Sequence, residues 1–207
     1  MLTSQHSSKT RILDAALRVI RTKGYGATTI SDLCTAAGLT KGGFFHHFKD
    51  KEEMAVAAAG HFGAMAAGLF AQAPYRQMQD PLLRLIGYID FRISILRGTL
   101  PEFTCLLGTL VQETYETHPA IRQACDKEIA AHAAEVARDI ALAREYYVPG
   151  AAWTAESLAL YTQAVLQGAF VLAKAQNGPA IAVECLTHLR RYIELLFDVP
   201  ATEEKQP

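Results

Sequence analysis

Three groups of side chains in this 207-residue chain are of types that do chemistry. Glu128 with His132, in EIAAH, and Glu184 with His188, in ECLTH, each set a carboxylate and an imidazole four apart, on one face of a helix. Carboxylate-bridged metal bundles space these ligands as E-x-x-H, three apart, and add further glutamates. His46 and His47 are adjacent, so on a helix they diverge by about 100° and do not share an ion easily. A helical metalloenzyme is thus one alternative, with solvated helix faces as the simpler reading. Cys34, Cys105, Cys125 and Cys185 are scattered without C-x-x-C spacing, which points to reduced thiols rather than a zinc knuckle or disulfide framework. There is no G-x-S-x-G and no phosphate-binding loop. The expectation is a protein that is not an enzyme and holds no metal or cofactor. The third group is the stretch LTKGGFFHHFKDKEEM, Leu39–Met54, too polar for a core helix and too aromatic for a surface loop.

Charge gives that stretch a context. Residues 1–51 hold eight Lys/Arg and three acids, a net of +5, and the remainder carries a net of −6. A basic head on an acidic body suits a head that meets a polyanion. Half of the residues are hydrophobic, enough for a buried core. No stretch reads as a transmembrane helix, and MLTSQHSSKTR lacks the apolar core of a signal peptide, so a cytoplasmic protein is expected, with no membrane partner.

The elements that must position these side chains read as helices throughout. Ser7 or Ser8 caps the first, Ile12, Ala16, Val19 and Ile20 form its apolar stripe, and Gly24 stops it. Thr29 caps the second, with Asp32 completing a capping-box-like pair, and Gly38 ends it. Thr40 caps a short third helix to about Phe48. Asp50 caps a fourth, with Glu53 in the box position, to about Gln72. Pro81 opens a fifth to about Leu96, RGTLPE opens a sixth, and a seventh follows His118-Pro119 to about Tyr146. An eighth runs from Thr154 to about Gln176 and a ninth to about Phe197. The fold class is all-α with about nine helices. Its division is a helix-turn-helix head at 1–50, a helical body at 51–200 for ligand binding and dimerisation, and a disordered tail at 201–207.

Two short helices joined by a tight glycine turn make a helix-turn-helix, whose second helix can lie in a DNA major groove. Phe44 and Phe48 can face inward onto Ile30, Leu33 and Leu39, which turns Lys41 and Phe45, Gly42 and His46, and Gly43 and His47 to other faces. Gly42 and Gly43 each cost on the order of 1 kcal/mol against alanine in a helix. They make sense where the backbone must closely approach another surface, with helix N-terminal amides aimed at phosphates. A purely structural helical interaction protein would leave this basic, glycine-opened head unexplained.

The stretch TRILDAALRVIRTKGYGATTISDLCTAAGLTKGGFFHHFKDKEEM, Thr10–Met54, resembles the DNA-binding head of the TetR family of bacterial transcriptional repressors. The resemblance rests on the alanine-paired first helix running to G-Y, on T-T-I-x-D-L, on A-A-G-L-T-K-G and on F-x-H-F-x-x-K-E. It implies that Thr29 and Ser31 contact phosphate, and that Lys41, Gly42, Gly43 and His46 face the groove behind the Thr40 cap. It further implies that His47 and Lys51 touch the DNA backbone. Phe45 stands where the family usually has a phosphate-binding tyrosine; without the hydroxyl it can pack on sugar but not donate to phosphate.

The same resemblance implies a homodimer that binds a double-stranded DNA operator and is released by a small-molecule inducer. The natural lever is the fourth helix, which joins head to body. Apolar candidates for an inducer pocket are Phe62, Met65, Phe70, Tyr88, Phe91, Phe103, Leu107, Val111, Tyr115, Trp153 and Phe170. Dimerisation would use one stripe of Leu158, Tyr161, Val165, Gly168 and Ala169 and another of Leu189, Tyr192, Ile193 and Leu196, with ordinary internal core as the alternative. Cys105 lies in FTCLLGTLVQE, which resembles a segment of the family branch that includes repressors of electrophile detoxification. A sensor thiol near a helix start and a buried apolar cysteine are its two readings.

Overall fold

The computed structural model describes residues 7–198. The tail expected at 201–207 lies outside the described residues. Among the described residues the chain forms ten α-helices, one 3-10 turn and no strand. They are α1 (Ser8–Lys23), α2 (Ile30–Ala37), α3 (Lys41–Phe45), α4 (Lys51–Ala71), the 3-10 turn Pro74–Gln77, α5 (Pro81–Ser94), α6 (Leu100–Phe103), α7 (Leu106–Thr114), α8 (Pro119–Tyr147), α9 (Ala155–Ala175) and α10 (Ala180–Leu196).

Short polar side chains set the helix starts. Ser7 Oγ accepts from Thr10 N at 3.2 Å, and Thr154 Oγ1 accepts from Ser157 N at 3.1 Å. Asp50 Oδ1 accepts from Glu53 N at 2.8 Å. Glu53 reaches back one residue further than a capping box requires, to Lys49 N at 2.7 Å. Asp80, ahead of Pro81, caps α5 by accepting from Leu82 N at 2.8 Å and Leu83 N at 2.9 Å.

The expected sixth helix is two. Thr104 and Cys105 take extended backbone with ψ 159 and ψ 125, and the chain restarts as α7. Thr104 Oγ1 donates to Leu100 O at 2.7 Å, and the Thr104 carbonyl accepts from Arg21 Nη1 at 3.1 Å. No glycine or proline stands at the break to announce it. The third helix is also shorter than expected, ending at Phe45 with a turn to His47.

The chain packs as two compact units. The first runs up to Phe70 and includes Gly98–Ala131; the second takes Ala71–Arg97 and His132 onward. The expected head lies wholly within the first unit. That unit's core joins Ile12, Ala16 and Ile20 of α1, Leu33 of α2, Phe44 and Phe48, Met54 and Ala58 of α4, Leu106 and Leu110 of α7, and Ile121 and Cys125 of α8. The second unit packs α9 on α10 and α10 on α5. Leu85, Ile89, Ile140, Leu166, Leu186 and Ile193 are fully or almost fully buried.

The second unit also buries a polar cluster. Arg92 Nη2 lies 2.9 Å from His132 Nε2, and Arg92 Nε donates to Tyr88 Oη at 3.1 Å. An arginine only donates, so His132 Nε2 is an acceptor and the ring is neutral with its proton on Nδ1. Burial, then Arg92 and Arg76, push its pKa down to about 3. The unfolded chain takes up this proton near pH 6.5 while the folded chain does not. Stability is therefore full above about pH 6.5 and falls as the pH drops towards 3. Thermal unfolding should show a loss near 1.4 kcal/mol per pH unit below about pH 6 from this group. His132→Gln should flatten that slope. Equal slopes for the two proteins between pH 6.5 and pH 4.5 would remove His132 as the cause.

One expectation needs correction. α4 and α9, 21 residues each, are long and apolar enough by length and composition to cross a membrane. Alanine supplies much of the apolar character of both without bulky side chains. Helices buried within a fold meet the same criterion, and 44% of the α9 stretch is buried inside the protein.

Candidate nucleic-acid interface

Two helix caps and one glycine build the head. Thr29 Oγ1 accepts from Asp32 N at 3.1 Å, and Asp32 Oδ2 accepts from Thr29 N at 2.8 Å, so the capping box forms. Lys23 Nζ sits 2.6 Å from Asp32 Oδ2. That bond and those from Thr29 hold the carboxyl well below the usual carboxylate range. Gly38, at φ 63, makes the left-handed turn out of α2, and Thr40 Oγ1 then caps α3 on Gly43 N at 3.2 Å. Arg11 of α1 closes the turn, donating from Nη2 to Ala37 O at 2.6 Å and to Gly38 O at 3.1 Å.

α3 is pinned by its aromatic side. Phe44 and Phe48 are buried, with ring centroids 5.6 Å apart. The opposite side leaves Thr40, Lys41, Gly42 and His46 exposed and Gly43 half-buried, while Thr29 and Ser31 are exposed at the start of α2. Phe45 is 53% exposed, an unusual place for a phenylalanine in a monomer surface. Among the described residues nothing requires either of these positions to be glycine. A Cβ on Gly42 would meet only Thr40 Oγ1 at 3.7 Å, and one on Gly43 nothing nearer than 3.7 Å. Neither has positive φ, unlike Gly24, Gly38 and Gly98.

Two expected DNA contacts are turned elsewhere. Lys51 Nζ donates to Tyr25 O and Thr28 O, each at 3.0 Å, and lies 4.1 Å from the Tyr25 ring centroid. His47 Nε2 is 2.5 Å from Ser8 Oγ, which ties α3 to the start of α1. Arg21 likewise spends a donor on Thr104 O. The head therefore faces outward with fewer cations than its composition suggests. Arg11 is a structurally important residue that the sequence did not single out, and Ser8, named there only as a candidate cap, holds His47 instead; their partners lie 26 and 39 residues away, beyond any local pattern.

The other candidate sites regroup. Phe62, Met65, Phe70, Phe103, Cys105, Leu107, Val111 and Tyr115 belong to the first unit, and Tyr88, Phe91, Trp153 and Phe170 to the second. Leu107 is core, and Met65 and Tyr115 are exposed. Trp153 stacks edge-on to Phe197 at 5.4 Å. Of the dimer stripes, Leu158, Ala169, Leu189 and Ile193 are buried within the second unit and so cannot form an outer face. The exposed apolar side of α9 is instead Leu160, Tyr161, Gly168, Val171 and Leu172, and that of α10 is Tyr192 and Leu195. The Tyr161 and Tyr192 rings meet at 5.3 Å. His132 of the EIAAH pair is held in the Arg92–Tyr88 cluster, and among the described residues no three of His, Cys, Asp and Glu gather to hold a metal.

The profile of "Bacterial regulatory proteins, tetR family" matches residues 12–58, which span α1 to the first part of α4. The chain belongs to the TetR family. As a TetR-family protein it is a DNA-binding transcriptional regulator. It is 28% identical over 67% of its length to the uncharacterized HTH-type transcriptional regulator YxaF of Bacillus subtilis, covering 73% of that protein. It is 41% identical over 54 residues to the HTH-type transcriptional regulator AcrR of Shigella flexneri, a match spanning 25% of each chain. A TetR transcriptional regulator from Chloroflexus aurantiacus shares the fold with a TM-score of 0.76 and 26% identity, over 90% of this chain and 93% of its own.

Proposed function

We propose that this TetR-family regulator is a cytoplasmic homodimeric repressor with its functional division near residue 50. The head binds a palindromic operator through Thr29, Ser31, Thr40, Lys41, Gly42, Gly43, Phe45 and His46. The observation that carries this reading is the Gly42–Gly43 pair, the first exposed and the second half-buried, where a Cβ would meet only ordinary contacts among the described residues. A groove wall is the surface such a backbone can approach, with Phe45 packing on sugar. The exposed apolar sides of α9 and α10 would pair with a second copy, setting two heads on two half-sites.

The body would respond to a small apolar or electrophilic molecule, which must favour the DNA-incompetent state to cause release. Cys105 is the thiol for the electrophilic route. Like Cys185 it is half-buried, whereas Cys34 and Cys125 are buried, and burial pushes the Cys125 pKa up to about 12. α4 remains the proposed lever between body and head.

One titration tests both parts. Labelled DNA from the gene's own upstream region should bind with a salt slope of about 0.9 per phosphate neutralised, and Lys41→Ala should reduce that slope. N-ethylmaleimide should then release the wild type but not Cys105→Ser. Salt-independent affinity would sink the repressor reading; equal release of both proteins would sink the role of Cys105.

A further inference from the structure

The loop between α1 and α2, Gly24–Thr28, leads directly into Thr29 and so fixes where α2 begins. It is held from outside the head. Glu113, near the end of α7, reaches the loop across 87 residues of sequence and accepts from Gly26 N at 2.8 Å. Its carboxylate lies over Gly24, where φ is 86 and any Cβ would collide with Glu113 Oε1. His118, after α7, sets its ring edge-on to the buried Tyr25 at 5.2 Å. Lys51 holds Tyr25 O and Thr28 O from α4. The two glycines of KGYG thus frame an acid from α7, a role separate from stopping α1.

We propose that Glu113 is a positioning residue for DNA binding: it holds the α1–α2 loop so that the start of α2 is preset for the phosphate. The inference rests on the reading of α2 and α3 as the DNA-contacting pair. A loop already held in its bound conformation loses less freedom on binding, which raises affinity without adding a contact. Glu113 is an anion and cannot itself attract phosphate. Its removal by electrostatics alone should tighten DNA binding. A positioning role predicts the opposite sign.

Two variants separate reach from charge. Glu113→Asp keeps the charge and loses one methylene of reach. Glu113→Gln loses the charge and keeps an acceptor for Gly26 N–H. Affinity for the upstream DNA and for random duplex is measured for each, together with amide exchange at Gly26. The expected result is a loss of about three- to tenfold in operator affinity for Glu113→Asp, since one hydrogen bond is at stake. Gly26 exchange should quicken, the salt slope should hold and random-duplex binding should be little changed. Glu113→Gln should stay near wild type. The proposal is overturned if Glu113→Asp binds like wild type while Glu113→Gln binds tighter. It is equally overturned if Glu113→Asp weakens operator and random duplex alike, the mark of a merely destabilised head. Wild-type protein that fails to prefer its upstream DNA would instead sink the underlying DNA reading.

Discussion

Alanine at both Gly42 and Gly43 should leave the protein folded and no less stable, yet lower operator affinity by about a hundredfold or more. The two halves of this result have separate causes. Glycine inside a helix costs about 0.5–1 kcal/mol against alanine, and α3 carries two in five residues. Added methyls meet only ordinary van der Waals neighbours at 3.7 Å, so the fold gains helix propensity without strain. At the proposed groove wall the same methyls would stand where the backbone must approach, and would push Lys41 and His46 away from base edges. Thermal unfolding and operator titration of one sample measure both. A variant that binds operator like wild type would show that the glycines serve neither the fold nor the DNA.

Leu172→Glu with Leu195→Glu should turn the proposed dimer into a monomer and lower operator affinity by about a hundredfold or more, because two linked heads bind far better than one. Leu172 is 44% and Leu195 75% exposed, so each substitution should alter the subunit's own stability by no more than about 0.5 kcal/mol. In a face paired with a second copy, four carboxylates would lose water without gaining partners. Sedimentation decides the matter: a double variant that still runs as a dimer places the interface elsewhere. Leu189→Ala is the contrast, since Leu189 is core and its loss should cost stability by about 2–5 kcal/mol.

Much of the head was legible because its signals are local. Thr29 with Asp32, Thr40 ahead of two glycines, and Gly38 between short helices lie within a few residues of what they act on. Phe44 and Phe48 follow from a four-residue spacing. The break at Thr104–Cys105 was not legible, because its extended backbone is tied to Arg21, a residue of another helix. The outer face of α9 was misread by about one residue's turn: Leu158 and Leu160 are both leucines, and an apolar helix does not say which side its own unit covers. Lys51 counted as a phosphate cation until its carbonyl partners, 23 and 26 residues away, were in view.

Those inward cations bear on how such a protein finds its site. Arg11, Arg21 and Lys51 keep their charge but aim their tips at main-chain oxygens, and Lys23 is matched by Asp32, which leaves few cationic tips, and so a modest contacting charge, for random phosphates. Binding to unrelated DNA is almost wholly a matter of that charge. Encounters with the wrong sequence should therefore be brief, and the chromosome should sequester few copies. Occupancy of the true site then depends less on how much unrelated DNA surrounds it, so a small number of molecules suffices for control.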